Sequence, residues 1–261
     1  MDFSANGIRI RAEVRGSGPW LVMSHSLACS SAMWDAQIAR FSADFRVLAF
    51  DTRGHGGTDA PPGPYTLEQL ADDLQGLLDA AGIDRCHYVG LSMGGMIGMT
   101  HALKYPGRLQ TLALCDTSSR IPAEARPVWQ ARIDLATQQG MEPLVTPTLE
   151  RWFTEGFRKG SPEAVARVAG MVRATPVAGY VGCCQAIAPL DITDRLGAIG
   201  VPTLVLVGDR DVGTPVEASR AIHQAIPHSH LGVIPSASHL SNIEQPEVFD
   251  FLLGRFLTAH R

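Results

Sequence analysis

Apolar and charged positions alternate with a period of two over residues 8–14, where Ile8, Ile10, Ala12 and Val14 face one way and Arg9, Arg11 and Glu13 the other. This pattern predicts a half-exposed strand, expected as an antiparallel edge. Further along, the pattern becomes short, nearly unbroken apolar runs at 20–23, 47–50, 86–91, 109–114, 201–207 and 230–234. Runs of this length between turn residues predict strands buried on both faces, as in a parallel sheet. Between them, helical spacing recurs: Leu67, Leu70, Leu74, Leu77 and Leu78 follow Thr66 and Gln69, which predicts a helix over 66–80 opened by a capping box. Segments 33–41, 93–104 and 246–257 also read as helices. Another is expected to start near Pro215, with Thr214 as its N-cap and the proline at its first position. Strand and helix in alternation imply a mostly parallel, twisted sheet wound with right-handed crossovers and flanked by helices.

Between residues 120 and 195 the strand pattern stops and helical spacing takes over, as in Val165, Val168, Ala169 and Val172 behind the start signal Ser161-Pro162. A helical insertion between two strands of a parallel sheet leaves from their carboxyl edge, where such sheets bind ligands. The chain therefore divides into a core of residues 1–119 and 196–261 and a helical lid of residues 120–195. Trp129, Trp152, Phe153, Phe157, Met171 and Tyr180 are available to line a cavity under the lid, Trp129 and Trp152 foremost. Each also suits packing within the lobe.

The stretch Gly90-Leu91-Ser92-Met93-Gly94-Gly95 joins the run at 86–91 to the small-residue helix at 93–104. In such a GxSxG turn the serine occupies a strained strand-to-helix bend, and flanking glycines are needed where a Cβ would strike the neighbouring strand and helix. The bend exposes the hydroxyl at a helix N-terminus, so the Met93 amide points to where an oxyanion forms during acyl transfer. A packing turn is the alternative; the strand-turn-helix setting favours a nucleophile. The loop Ser24-His25-Ser26-Leu27-Ala28-Cys29 follows the strand at 20–23, where such a fold supplies its second oxyanion donor, here the Leu27 amide, and His25 is expected at the substrate pocket.

A serine hydroxyl attacks poorly without an imidazole to take its proton and a carboxylate to orient that imidazole. His239 follows the last strand and Asp211 the one before, so both are expected at the same sheet edge as Ser92. Asp209, nearer its strand end, and Asp116, after an earlier strand, are the rival acids. His55, in the glycine-rich loop after the run at 47–50, reads as a loop brace.

Composition narrows the partners. With 261 residues, 45% hydrophobic and 18% charged, the chain can bury one large core with an inserted lobe. A net charge of −4 with interspersed signs lacks the basic stripe that nucleic acid or a membrane surface requires. No stretch approaches the roughly 18 apolar residues of a bilayer span, and the first residues lack a basic-then-apolar leader, so a cytoplasmic protein acting on a diffusible small molecule is expected. Five cysteines, with Cys183 and Cys184 adjacent, are expected reduced and buried. The histidines show no metal-ligand spacing, and neither a metal nor a cofactor is expected. Oligomeric state is not legible.

The order Ser92, Asp211, His239, together with segments 51–58, 90–95, 208–211 and 238–239, resembles the α/β-hydrolase family across essentially the whole chain. Within it, Phe50-Asp51-Thr52-Arg53-Gly54-His55-Gly56, Gly63-Pro64-Tyr65-Thr66, Arg151-Trp152-Phe153-Thr154 and Ser238-His239-Leu240-Ser241-Asn242-Ile243-Glu244 are similar to the 3-oxoadipate enol-lactonases of aromatic degradation. The resemblance implies an α/β-hydrolase fold and a cofactor-free hydrolase of small esters or lactones, with Ser92 as nucleophile, His239 as base, Asp211 as acid, and the Leu27 and Met93 amides as oxyanion hole. Short-chain carboxylesterases, other lactonases, perhydrolases and carbon–carbon bond hydrolases share this triad and stay open, as does a receptor that keeps the fold without turnover. The loop departs from the subfamily, which has asparagine near His25 and glycine at Ala28; Cys29 is also unexpected. Arg120, Arg126 and Arg132 are the cations available to a substrate carboxylate.

Overall fold

The computed structural model describes residues 1–261. Its strands are β1 (Asp2–Ala5), β2 (Ile8–Arg15), β3 (Trp20–Ser24), β4 (Arg46–Phe50), β5 (Cys86–Leu91), β6 (Leu109–Cys115), β7 (Thr203–Gly208) and β8 (His230–Ile234). They form one sheet in the order β1-β2-β4-β3-β5-β6-β7-β8, antiparallel at its β1-β2-β4 end and parallel from β4 to β8. Every residue of β5 and β7 is buried, which is why their runs show no alternation. The alternating strand is not the edge: β1 pairs antiparallel with β2 outside it, Asp2 opposite Arg11 and Ala5 opposite Ile8. Four residues with one buried position carry too little pattern to read as a strand.

The helices are α1 (Asp35–Phe41), α2 (Leu67–Ala80), α3 (Met93–Lys104), α4 (Arg126–Gln139), α5 (Glu142–Trp152), α6 (Glu155–Gly160), α7 (Pro162–Ala174), α8 (Val177–Ile187), α9 (Val216–Ala225), α10 (Ser241–Glu244) and α11 (Pro246–Ala259). None is long and apolar enough to cross a membrane. Thr66 caps α2 as expected, its hydroxyl accepting the Gln69 N–H at 3.0 Å. The segment at 33–41 opens as a 3₁₀ turn before α1. α9 starts one residue late, with Pro215 at the cap position, because the Thr214 side chain is engaged elsewhere. α2 packs on α3 and α1 on α11, and right-handed crossovers place these pairs on opposite faces of the sheet.

The helices α4 to α8 all lie between β6 and β7, in the stretch expected as an insertion. Several contacts tie them to the loops at the sheet's edge. At α8, Gly179 approaches Gly54 so closely that a Cβ on Gly179 would sit 1.9 Å from the Gly54 carbonyl oxygen. After α5, the Thr154 N–H and hydroxyl both donate to Glu244, and the Ser238 hydroxyl donates to the Arg151 carbonyl at 3.0 Å. All five cysteines are buried free thiols.

Between β5 and α3 the backbone packs at glycine distances. A Cβ on Gly90 would lie 2.2 Å from the Gly94 carbonyl oxygen, with no flexible side chain to yield. Gly90→Ala is expected to destabilise the protein by roughly 1–3 kcal/mol or more, as overpacking does. Urea unfolding checks this; wild-type stability in the variant would contradict the packing described.

Candidate active site

Ser92 sits between β5 and α3 at φ 54° and ψ −114°, a left-handed backbone that an L-residue adopts only under constraint. The constraint comes from the end of β6 and the residues just past it. The Ser92 N–H donates to the Cys115 carbonyl at 2.8 Å, and the Thr117 hydroxyl donates to the Ser92 carbonyl at 2.7 Å. The Ser92 hydroxyl makes no hydrogen bond to a protein group and opens on a cavity of about 420 Å³.

His239 opens on the same cavity from the loop after β8, with its Nδ1 turned away toward Asp211. Nδ1–H donates to Asp211 Oδ2 at 2.8 Å. The same carboxylate accepts the Thr214 hydroxyl at 2.6 Å and, through Oδ1, the Gly213 and Thr214 N–H groups at 2.7 and 3.0 Å. Burial alone would push the Asp211 carboxyl up, but the facing His239 and the hydrogen bonds from His239 and Thr214 outweigh it and hold the group below its ordinary value. A carboxylate so fixed leaves the His239 proton on Nδ1 and the Nε2 lone pair free to take a proton. Trp152 stacks alongside the imidazole, centroids 5.9 Å apart and planes at 29°.

Of the rival acids, Asp209 is exposed and pairs loosely with Arg210 at 3.7 Å, not with His239. Asp116 is fully buried but bonds Gly208 and Ser241, not His239.

Ser26, Leu27 and Ala28 line the cavity floor beside Ser92. The Leu27 N–H bonds no other protein group, and Met93, as the first residue of α3, has no carbonyl four residues back in its helix. Both amides are without a protein partner, and of the two residues Leu27 lines the cavity. His25, expected at the pocket, lies behind this loop: its Nδ1 donates to the Ser26 carbonyl at 2.7 Å and its Nε2 accepts the Thr52 N–H at 2.9 Å. With both ring nitrogens engaged and no exposed surface, it braces the loop. His55, its ring centroid 5.2 Å from that of His25, does the same, its Nε2 accepting the Ala28 N–H at 3.0 Å, and burial with the nearby His25 pushes it down to about 3.

Trp129, Trp152 and Tyr180 reach the cavity, whereas Phe153, Phe157 and Met171 pack elsewhere. Three arginines line it and no carboxylate does. Arg120, on the rim, is paired with Asp191 at 2.6 Å. Arg126 does not reach the cavity. Arg132 lies 4.8 Å over the Trp129 ring and forms no ion pair. Arg151 also has no carboxylate partner, and burial beside Arg132 pushes it down to about 10. Sequence reasoning missed Arg151 because it sits inside a motif whose tryptophan drew the attention. It missed Thr214 because a threonine before a proline reads as a helix cap.

Since Asp211 is held below its ordinary value, it contributes stability above the unfolded carboxyl value of about 4, which is lost as pH falls through the folded value. Thr214→Val removes one bond to that carboxylate and is expected to cost about 1.5–3 kcal/mol at neutral pH, a gap that narrows below pH ~4. Urea unfolding at neutral and acid pH checks this; a gap independent of pH would contradict it.

The alpha/beta hydrolase fold profile matches residues 19–246. The 3-oxoadipate enol-lactonase 2 of Acinetobacter baylyi is 39% identical over 232 residues, 89% of this chain and 86% of that protein. The crystal structure of the enol-lactonase from Burkholderia xenovorans LB400 superimposes with a TM-score of 0.96 at 37% identity, covering 99% of this chain and 100% of that one. A malate-bound thermophilic esterase from Thermogutta terrifontis gives 0.95 at 32% identity, covering 100% and 99%. With a profile match over most of its length and relatives this similar along the whole fold, the chain belongs to the α/β-hydrolase family.

Proposed function

We propose that this protein is a serine hydrolase of small carboxylated lactones, with 3-oxoadipate enol-lactone its best-fitting substrate. The observation that carries the reading is the charge of the cavity: three arginines and no carboxylate among its lining residues. A guanidinium left partly buried without an anion is costly, and a substrate carboxylate is the partner that satisfies it, bidentately where the geometry allows. Arg132 and Arg151 are the two free to do this, and Trp129 and Trp152 supply the apolar walls. The likeness to enol-lactonases, and to an esterase that is itself malate bound, points the same way.

In this reading His239 Nε2 takes the Ser92 proton as Oγ adds to the lactone carbonyl, and the Leu27 and Met93 amides hold the resulting oxyanion. Collapse breaks the ring C–O bond; the enolate oxygen takes the proton from His239 and the freed enol becomes a ketone. Water then gives a proton to His239 and its oxygen to the acyl carbon, and the acid departs as Ser92 regains its proton. Asp211 stabilises the imidazolium in both halves. No step calls for a cofactor. Short-chain ester hydrolysis is the second reading, favoured by the apolar rim where Val128 and Val212 are exposed at 51% and 74%.

The test is a paired assay of the enol-lactone and p-nitrophenyl acetate. The wild type is expected to prefer the lactone by orders of magnitude in kcat/KM, and Ser92→Ala to lose both activities. Arg151→Gln is expected to raise KM for the lactone by about 10- to 100-fold, the worth of a charged hydrogen bond, while the uncharged ester is affected far less. Rapid ester cleavage with a negligible lactone rate would leave a serine esterase and reject the lactone.

A further inference from the structure

Asp116 is a buried carboxyl that the reaction above does not use. It stands just past β6 with no exposed surface and a left-handed backbone at φ 44°, a conformation that aspartate tolerates better than most non-glycine residues. Its own N–H donates to the Leu206 carbonyl at 2.8 Å. Its Oδ1 accepts the Gly208 N–H at 2.8 Å, at the end of β7 where the Asp211 loop begins. Its Oδ2 lies 2.5 Å from the Ser241 hydroxyl, at the start of α10, two residues after His239. One side chain thus joins the base of the Asp211 loop to the exit of the His239 loop. Its neighbours Cys115 and Thr117 grip Ser92 by its N–H and its carbonyl.

The two tied loops also touch directly. The Arg210 N–H donates to the Ala237 carbonyl at 2.8 Å, and a Cβ on Gly208 would come within 2.4 Å of the Ala237 and Ser238 carbonyl oxygens. Gly208 approaches this closely because it has no Cβ, and Asp116 accepts its N–H at that point.

We propose that Asp116 is a positioning residue: by bonding Gly208 and Ser241 it sets where His239 and Asp211 stand relative to Ser92. This rests on Ser92, His239 and Asp211 being the catalytic set. Burial, and the charge of nearby Asp211, favour the protonated form of Asp116; the bonds from Ser241 and Gly208 oppose this without reversing it. Asp211, with His239 and Thr214 donating to it, is the carboxyl that keeps its negative charge, and burial beside that charge favours a neutral Asp116. A neutral Asp116 acts through its two hydrogen bonds and not its charge. Asparagine is the isostere of that form, with an oxygen to accept from Gly208 and an NH₂ to donate to Ser241.

The experiment compares Asp116→Asn, Asp116→Ala and Ser241→Ala with the wild type. It reads kcat and KM for p-nitrophenyl acetate, and the downfield proton resonance of the His239 Nδ1–H bonded to Asp211. Asp116→Ala is expected to lower kcat by roughly 10- to 100-fold, the scale of misplacing a catalytic group by about an ångström, with KM little changed and the resonance shifted or lost. Ser241→Ala, which removes one bond and keeps the acid, is expected to move both readouts in the same direction by less. It also serves if Asp116→Ala does not fold. Asp116→Asn is expected to restore most of kcat, the wild-type resonance and the wild-type pH profile. A wild-type resonance and kcat in Asp116→Ala or, should that variant not fold, in Ser241→Ala would overturn the proposal. So would an Asp116→Asn as impaired as Asp116→Ala. A resonance that responds as described in a protein whose wild type turns over no ester would support the positioning role and count against the hydrolase reading instead.

Discussion

The structure depends on one backbone constraint: Ser92 is held in left-handed geometry at the junction of β5 and α3. A positive φ with ψ −114° lies outside the small left-handed helical well, and such a backbone costs an L-residue about 1–3 kcal/mol, so it persists only where the surroundings enforce it. Here they are the glycine contact between Gly90 and Gly94, and the two hydrogen bonds that Cys115, at the end of β6, and Thr117, just past it, make to Ser92. Because the turn is this tight, the hydroxyl leaves the sheet at the first turn of α3, beside amides with no helical partner. Relaxing the backbone would release the strain and lose that placement.

Around this point the fold gathers polar groups that are costly to bury and gives many of them hydrogen-bond partners. Asp51 accepts the Ser31 and Gly57 N–H groups, His25 and His55 lock the loop from Ser26 to Ala28 against residues 51–59, and Glu244 ties the lid's Thr154 to Ser238. These bonds restrict the loops that carry Leu27 and His239 while leaving the Leu27 amide and the imidazole Nε2 unused. Arg132 and Arg151 are the groups left without an anion, and they face the same cavity. On the proposed reading, the rigidity serves the reacting groups and the unpaired charge serves the substrate carboxylate.

The sheet, the crossover helices and the helical stretch from 120 to 195 were legible because each writes a period into the chain: unbroken apolar runs for β5 and β7, leucines three and four apart for α2. The chain positions of Ser92, Asp211 and His239 were legible because strand ends carry them to one edge. β1 was not, being four residues long with one buried position. Nor was the place of His25, since a histidine beside an oxyanion loop reads the same whether it faces the cavity or braces the loop from behind. Thr214, Glu244 and Asp116 escaped for a shared reason: their partners lie far away in the chain or need a particular turn geometry, which no local pattern records. Ala28 carries a conflict visible only in three dimensions, at φ 60° where glycine would be unstrained.

The central claim, that the lactone carbonyl is attacked by Ser92 held in this turn, is tested most directly by mass spectrometry of enzyme acid-quenched during turnover of 3-oxoadipate enol-lactone. The account predicts a transient adduct of the mass of the acyl group, mapped to the peptide containing Ser92 and absent from Ser92→Ala. Turnover without any such adduct, or with an adduct on another residue, would contradict it.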